Sequence, residues 1–156
     1  MKFILLVEND ASSRTAYVAG LQKAGFYVGE ARNRQEGLEF LARVTPAIAV
    51  IDTAIDDGDG FEIISEIHSR FPNVPILAIS KNMSHLNLAM QLGATRTLKK
   101  PFVCNDLCHT VQNLIAALTT PNAAKMMEKI NVARYGFQPG GVRNELWPNL
   151  VFEHLN

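Results

Sequence analysis

The chain has 156 residues, a formal net charge of zero and a pI near 6.9. Hydrophobic content of 47% and charged content of 19% are ordinary for a soluble globular protein, and the length fits one domain with a modest appendage. A neutral balance lacks the basic signature of a nucleic-acid binder, and two cysteines are too few for a disulfide framework, which fits a reducing compartment.

The N-terminal stretch MKFILLV is followed at once by Glu8 and Asp10, and it is shorter than the ~7–15 residues of a signal-peptide core. No run approaches the ~18 apolar residues of a membrane span. The expectation is a cytoplasmic protein with no membrane contact.

Lys2 to Val7 is short and apolar and reads as a buried strand. Asp10 can cap a helix over residues 11–24, stopped by Gly25, with Ala11, Thr15, Val18 and Leu21 as its inward stripe. Residues 26–31 form a second strand. Asn33 followed by Glu36 resembles a capping box, opening a helix that carries Leu38, Phe40 and Leu41 to about Val44. Ala47 to Ile51 is a third strand, ending on Asp52. A helix over 61–71 places Phe61, Ile64, Ile67 and Phe71 on one face. Strand four is 75–80, a helix follows over 83–92 with Gly93 as its stop, and strand five is 95–98. A last helix over 103–118 aligns Leu107, Val111, Leu114, Ile115 and Leu118. Five strand–helix units in strict alternation imply a parallel sheet with helices on both faces.

In such a sheet, functional groups collect beyond the carboxyl ends of the strands. Glu8 and Asn9 follow strand one, Asp52 ends strand three, Ser80 ends strand four and Lys100 follows strand five. Glu8, Asn9 and Asp52 offer hard oxygen ligands of the kind Mg²⁺ takes. With the Ser80 hydroxyl and the Lys100 cation they make up the parts needed to transfer a phosphoryl group to a carboxylate. Blander roles exist for each. Asp52 can bind backbone amides or pair with Lys100, Ser80 can cap a turn, and Glu8 and Asn9 can serve the turn that follows them.

The segments ILLVEND, VIDTAIDDGDGFEII, PILAIS, LGAT and LKKPF, in that order and spacing across roughly residues 1–118, resemble the receiver domain of two-component response regulators. The resemblance implies a three-layer, doubly wound α/β fold of flavodoxin (CheY-like) type with strand order 2-1-3-4-5. It implies Asp52 as phosphoacceptor from a histidine kinase or phosphotransfer protein, with Lys100 and Ser80 gripping the phosphoryl group. It implies Mg²⁺ held by Glu8, Asn9, Asp52 and the backbone carbonyl of Ala54. A cis peptide before Pro101 would help to aim Lys100. Such a domain signals by protein–protein contact and is not an enzyme beyond its own phosphorylation and dephosphorylation.

This sequence departs from the family pattern in places. Asn9 replaces the carboxylate expected as a direct metal ligand, so weaker Mg²⁺ binding is expected; Asp10 next door offers partial compensation, although in the usual register it points elsewhere. Lys81 stands where a small residue is usual, able to screen the pocket, pair with Asp52 or extend into solvent. Thr97 stands where strand five usually carries an aromatic ring, and Asp56 where a proline is common, with Asp57 adding charge. These departures keep a second reading open: a pseudo-receiver used for binding or dimerisation without phosphotransfer. A dehalogenase-type phosphatase would want a second acid two residues after Asp52, where Ala54 stands. A nucleotide-binding protein would want glycines after strand one, where ENDASS has none.

Gly60 reads as a helix-entry turn. Cys104, Cys108 and His109 match no closed zinc spacing and read as packing. The domain boundary is expected at 1–120, with a C-terminal extension over 121–156. That extension would be a helix beginning near Pro121 and carrying Ala123, Met127 and Ile130 on one side, then a tail with Leu146, Trp147, Leu150, Phe152 and Leu155. So dense an apolar tail argues for docking on the domain itself, on a second copy in a homodimer, or on a partner. The chain can equally be part of something longer.

Overall fold

A computed structural model of the chain describes residues 2–55 and 59–118. Five strands and five helices alternate: β1 (Phe3–Val7), α1 (Ala11–Lys23), β2 (Tyr27–Ala31), α2 (Arg34–Leu41), β3 (Ile48–Asp52), α3 (Asp59–Arg70), β4 (Ile76–Ser80), α4 (Met83–Leu92), β5 (Arg96–Lys99) and α5 (Cys104–Leu118). The sheet is wholly parallel, in the order β2-β1-β3-β4-β5. The chain divides into two units, 1–112 and 113–156, and the whole sheet lies in the first.

The burial pattern explains the order. IAVID of β3 and ILAIS of β4 are buried at every position, because both faces of a central parallel strand are covered. Each Ile or Leu removed from water there contributes roughly 1.5–3 kcal/mol. The edge strands β2 and β5 are exposed or only partly buried, apart from Ala31 at the end of β2. On one face α2, α3 and α4 are neighbours: Gly37 of α2 meets Ile63 of α3, and Phe61 of α3 meets His85 of α4. On the other, α1 meets the start of α5, where Gly20 faces Cys104.

The helix ends follow from local chemistry. Asp10 Oδ2 accepts the Ser13 N–H at 2.8 Å, and Asn82 Oδ1 accepts the Ser84 N–H at 2.8 Å. Asn33 accepts the Glu36 N–H, while the Glu36 carboxylate reaches back to the N–H of Arg32, one residue earlier than in the usual capping box. Gly25 (φ 94°) and Gly93 (φ 120°) follow α1 and α4 in the left-handed region that glycine adopts without strain.

The inward stripe of α1 differs from expectation. Ala11 and Thr15 are exposed, and Arg14, Tyr17, Val18 and Leu21 turn inward. Two small or hydroxylated residues gain little from burial, whereas Tyr17 and Leu21 gain much. Strand three ends on Asp52 as expected but begins one residue later, at Ile48, and strand five is shifted one residue on, to Arg96–Lys99. Asp56, Asp57 and the extension expected over 121–156 lie outside the described residues.

Candidate functional site

In the order β2-β1-β3-β4-β5 the crossover direction reverses between β1 and β3. That switch point is where a doubly wound sheet opens a crevice at its carboxyl edge. The β1–β3 register pairs Val7 with Ile51, so the next residues, Glu8 and Asp52, emerge side by side there. The β4–β5 register pairs Ser80 with Lys99, and the Lys100 N–H donates to the Ser80 carbonyl at 2.8 Å, which fixes where the Lys100 side chain starts. The Lys100–Pro101 peptide is cis.

From there the Lys100 ammonium reaches across the edge. Its Nζ lies 2.6 Å from Asp52 Oδ2 and 2.8 Å from Glu8 Oε2. Glu8 is 0% and Asp52 4% exposed. The second oxygen of each carboxylate accepts a backbone N–H: Ala54 donates to Asp52 Oδ1 at 2.8 Å, and Asp10 donates to Glu8 Oε1 at 3.0 Å. Every carboxylate oxygen of the pair therefore has a partner, as burial demands.

The electrostatics follow. Burial lifts the Glu8 carboxyl above its ordinary value, with the hydrogen bond from Lys100 acting against that. Burial alone would depress Lys100, but the hydrogen bonds to Asp52 and Glu8 outweigh it and hold the ammonium well above the usual lysine value. Lys100 is thus a fixed cation between two anions.

Ser80 is 1% exposed at the end of β4, and its Oγ accepts the Asn82 N–H at 3.1 Å. Asn9 is exposed, with its backbone carbonyl facing Arg14. The Asp10 carboxylate caps α1, and the hydrogen bond it accepts from the Ser13 N–H holds its pKa below the ordinary value. Lys81 extends into solvent, and Thr97 is half-buried on β5.

Several contributors were not singled out from sequence. Arg14 Nη1 donates to the carbonyls of Glu8 (2.9 Å) and Asn9 (3.3 Å), pinning the turn after β1 to α1. An arginine on the inward stripe with Tyr17 and Leu21 was the available signal. The Tyr17 ring stacks on Phe102 with centroids 5.3 Å apart and stands 5.9 Å from Lys100 Nζ, closing one side of the cluster. Gly60 is more than a turn. A Cβ there would lie 2.6 Å from the Asp52 carbonyl oxygen, so only glycine lets α3 start this close to the end of β3.

Among the described residues, no three His, Cys, Asp or Glu side chains group closely enough to hold a metal. The Glu8 and Asp52 carboxylates stand together at the edge, each followed in the chain by a neutral oxygen donor, Asn9 after Glu8 and Ala54 two residues after Asp52. Two carboxylates with neutral oxygens suit Mg²⁺, which keeps several of its waters. Cys104 and Cys108 are free thiols, and burial lifts Cys108 to about 11, which makes it unreactive.

A doubly wound sheet of this order, with a carboxylate–lysine cluster at its switch point, is a CheY-like α/β domain. The response regulator receiver domain model matches residues 4–112, and the chain belongs to that family, a signalling domain of two-component systems. The photosynthetic apparatus regulatory protein RegA of Rhodobacter capsulatus is 29% identical over 120 residues, covering 76% of this chain and 65% of the relative. The KDP operon transcriptional regulatory protein KdpE of Escherichia coli is 30% identical over 109 residues, covering 69% of this chain and 48% of the relative. The chain thus spans less than two thirds of these curated relatives. Among solved structures, the chemotaxis response regulator CheY4 of Vibrio cholerae aligns with a TM-score of 0.68 at 26% identity, covering 73% of this chain and 98% of that one. A two-component response regulator from Clostridium difficile aligns with a TM-score of 0.72 at 18% identity, covering 77% and 100%. No described helix is long and apolar enough to cross a membrane.

Proposed function

We propose that this chain accepts a phosphoryl group on Asp52 and signals the event by protein–protein contact. The single observation that carries the reading is the Lys100 ammonium 2.6 Å from the Asp52 carboxylate in a buried edge of the sheet. An Asp52 oxygen attacks phosphorus in line, the bond from phosphorus to the donor's nitrogen or oxygen breaks, and the leaving group takes up a proton. Lys100 then sits beside the new negative oxygens, where a preorganised cation is worth most. Ser80 hands its hydroxyl from Asn82 to a phosphoryl oxygen. Glu8, Asn9, Asp52 and the Ala54 carbonyl would hold Mg²⁺, which supplies charge neutralisation on the phosphoryl oxygens. The phosphodonor is a histidine kinase or a phosphotransfer protein, as the family implies, and the chain acts in the cytoplasm.

Support also comes from what the resting site already holds. Two buried carboxylates and one lysine leave one net negative charge, a neutralisation that makes Asp52 approachable by an anionic donor. The exposed Asn9 and the doubly engaged Lys100 favour the second reading, a pseudo-receiver, to the extent that they weaken the metal site. Intact-mass analysis after incubation with acetyl phosphate and Mg²⁺ separates the two. Phosphoacceptor chemistry gives one added phosphate in the wild type and none in Asp52→Asn. A wild type that stays unmodified at every Mg²⁺ concentration leaves only the pseudo-receiver.

A further inference from the structure

The strand ends bearing Asp52 and Ser80 are both tied to the first turn of α4. Asn82, the cap of α4, donates its N–H to Ser80 Oγ at 3.1 Å. Three residues on, His85 Nδ1 lies 3.4 Å from Thr53 Oγ1. Thr53 is 1% exposed and stands between Asp52 and Ala54, whose N–H holds Asp52 Oδ1. A hydroxyl buried to that extent requires a partner, and His85 provides one, as acceptor or donor according to its tautomer.

The imidazole is also held from behind. Its ring meets the Phe61 ring edge-on, with centroids 5.3 Å apart and planes at 77°. Phe61 is buried in the first turn of α3, next to Gly60, which lies against the backbone of Asp52 and Thr53. A small displacement of Thr53 therefore has a defined route: through the hydroxyl to the ring, and through the ring to α4. Thr97 has no aromatic ring to carry such a displacement along β5.

We propose that His85 is a positioning residue that couples α4 to the acceptor strand through Thr53. The proposal rests on the phosphoacceptor reading of Asp52. New charge on Asp52 shifts Thr53 and draws the Ser80 hydroxyl away from Asn82. Both changes act on one turn of helix, so α4 reports the state of the site.

The test is amide NMR of the full chain with Mg²⁺ and beryllofluoride, a mimic of an acyl phosphate. In the wild type, the Ala54 amide and the α4 amides shift together. In Thr53→Val, which keeps the shape and loses the hydroxyl, and in His85→Phe, which keeps the ring against Phe61, Ala54 still shifts. The α4 response falls by half or more in both. Thr53→Ser restores it. A full α4 response in both Thr53→Val and His85→Phe overturns the coupling, and so does loss of the Ala54 shift in both, which marks a purely structural role. An Ala54 amide that stays still in the wild type overturns the phosphoacceptor reading, and the coupling with it. Should Thr53→Val fail to fold, His85→Phe and Thr53→Ser decide.

Discussion

At the scale of single residues, Lys100 is the keystone. Replacing it with Met leaves Glu8 and Asp52 buried, adjacent and uncompensated. Breaking a buried charge pair by removing one partner costs about 3–5 kcal/mol. Urea denaturation should register a loss of that order, larger than for Asp52→Asn, which leaves Lys100 its hydrogen bond to Glu8. Asn9→Asp should act in the opposite sense on the metal. It restores one negative charge to the hard-oxygen set, and hard-cation affinity follows ligand charge, so Mg²⁺ should bind about tenfold or more tightly by titration calorimetry. Unchanged affinity would remove Asn9 from the ligand set. Glu8, Asp52 and Lys100 were legible in the sequence because each ends or follows a readable strand, and strand ends converge. Arg14, Tyr17 and His85 were not, since a helical side chain announces a face and not a partner, and Thr53, in the turn after β3, carries no pattern that names His85. The cap role of Asp10 was legible too, because a backbone N–H three positions on engages its carboxylate.

At the scale of elements, two glycines make contrasting predictions. In Gly60→Ala the new methyl meets backbone: the Asp52 carbonyl at 2.6 Å and Thr53 Cα at 2.8 Å. Backbone cannot rotate away, so α3 must move, at a cost of about 1–3 kcal/mol despite the better helix propensity of alanine. In Gly20→Ala the close atom is Cys104 Sγ, the end of a side chain that can change rotamer. Its loss should be smaller, and thermal melts of the two variants rank them. A Gly60→Ala protein as stable as the wild type would contradict the close approach of α3 to β3. The alternation of strands and helices was legible almost completely, because β3 and β4 are apolar runs and α1, α2 and α4 begin at side-chain caps. The inward stripe of α1 was misjudged because Ala11, Thr15 and Val18 share a helical spacing with Leu21, and only burial distinguishes that stripe from the one through Arg14 and Tyr17.

At the scale of the whole molecule, the site's charges set how stability depends on pH. Lys100 is raised above its ordinary value of 10.5, so its contribution is fully present below that pH and is lost as pH rises through the folded value. Glu8 is also raised, from 4.5, so its contribution is present in acid and is lost as pH climbs through its own folded value. Comparing wild type with Lys100→Met by thermal melts from neutral to strongly alkaline pH should show one component of alkaline destabilisation that the variant lacks; parallel curves would contradict the linkage. The chain spans 65% of RegA and 48% of KdpE. The signalling role depends on residue 52 being the acceptor. Reduction with borohydride after treatment with acetyl phosphate and Mg²⁺ converts an aspartyl phosphate to homoserine, and peptide mapping then locates it. The account predicts homoserine at position 52 and at no other aspartate. Unaltered Asp52 after such treatment, or homoserine elsewhere in the chain, would contradict it.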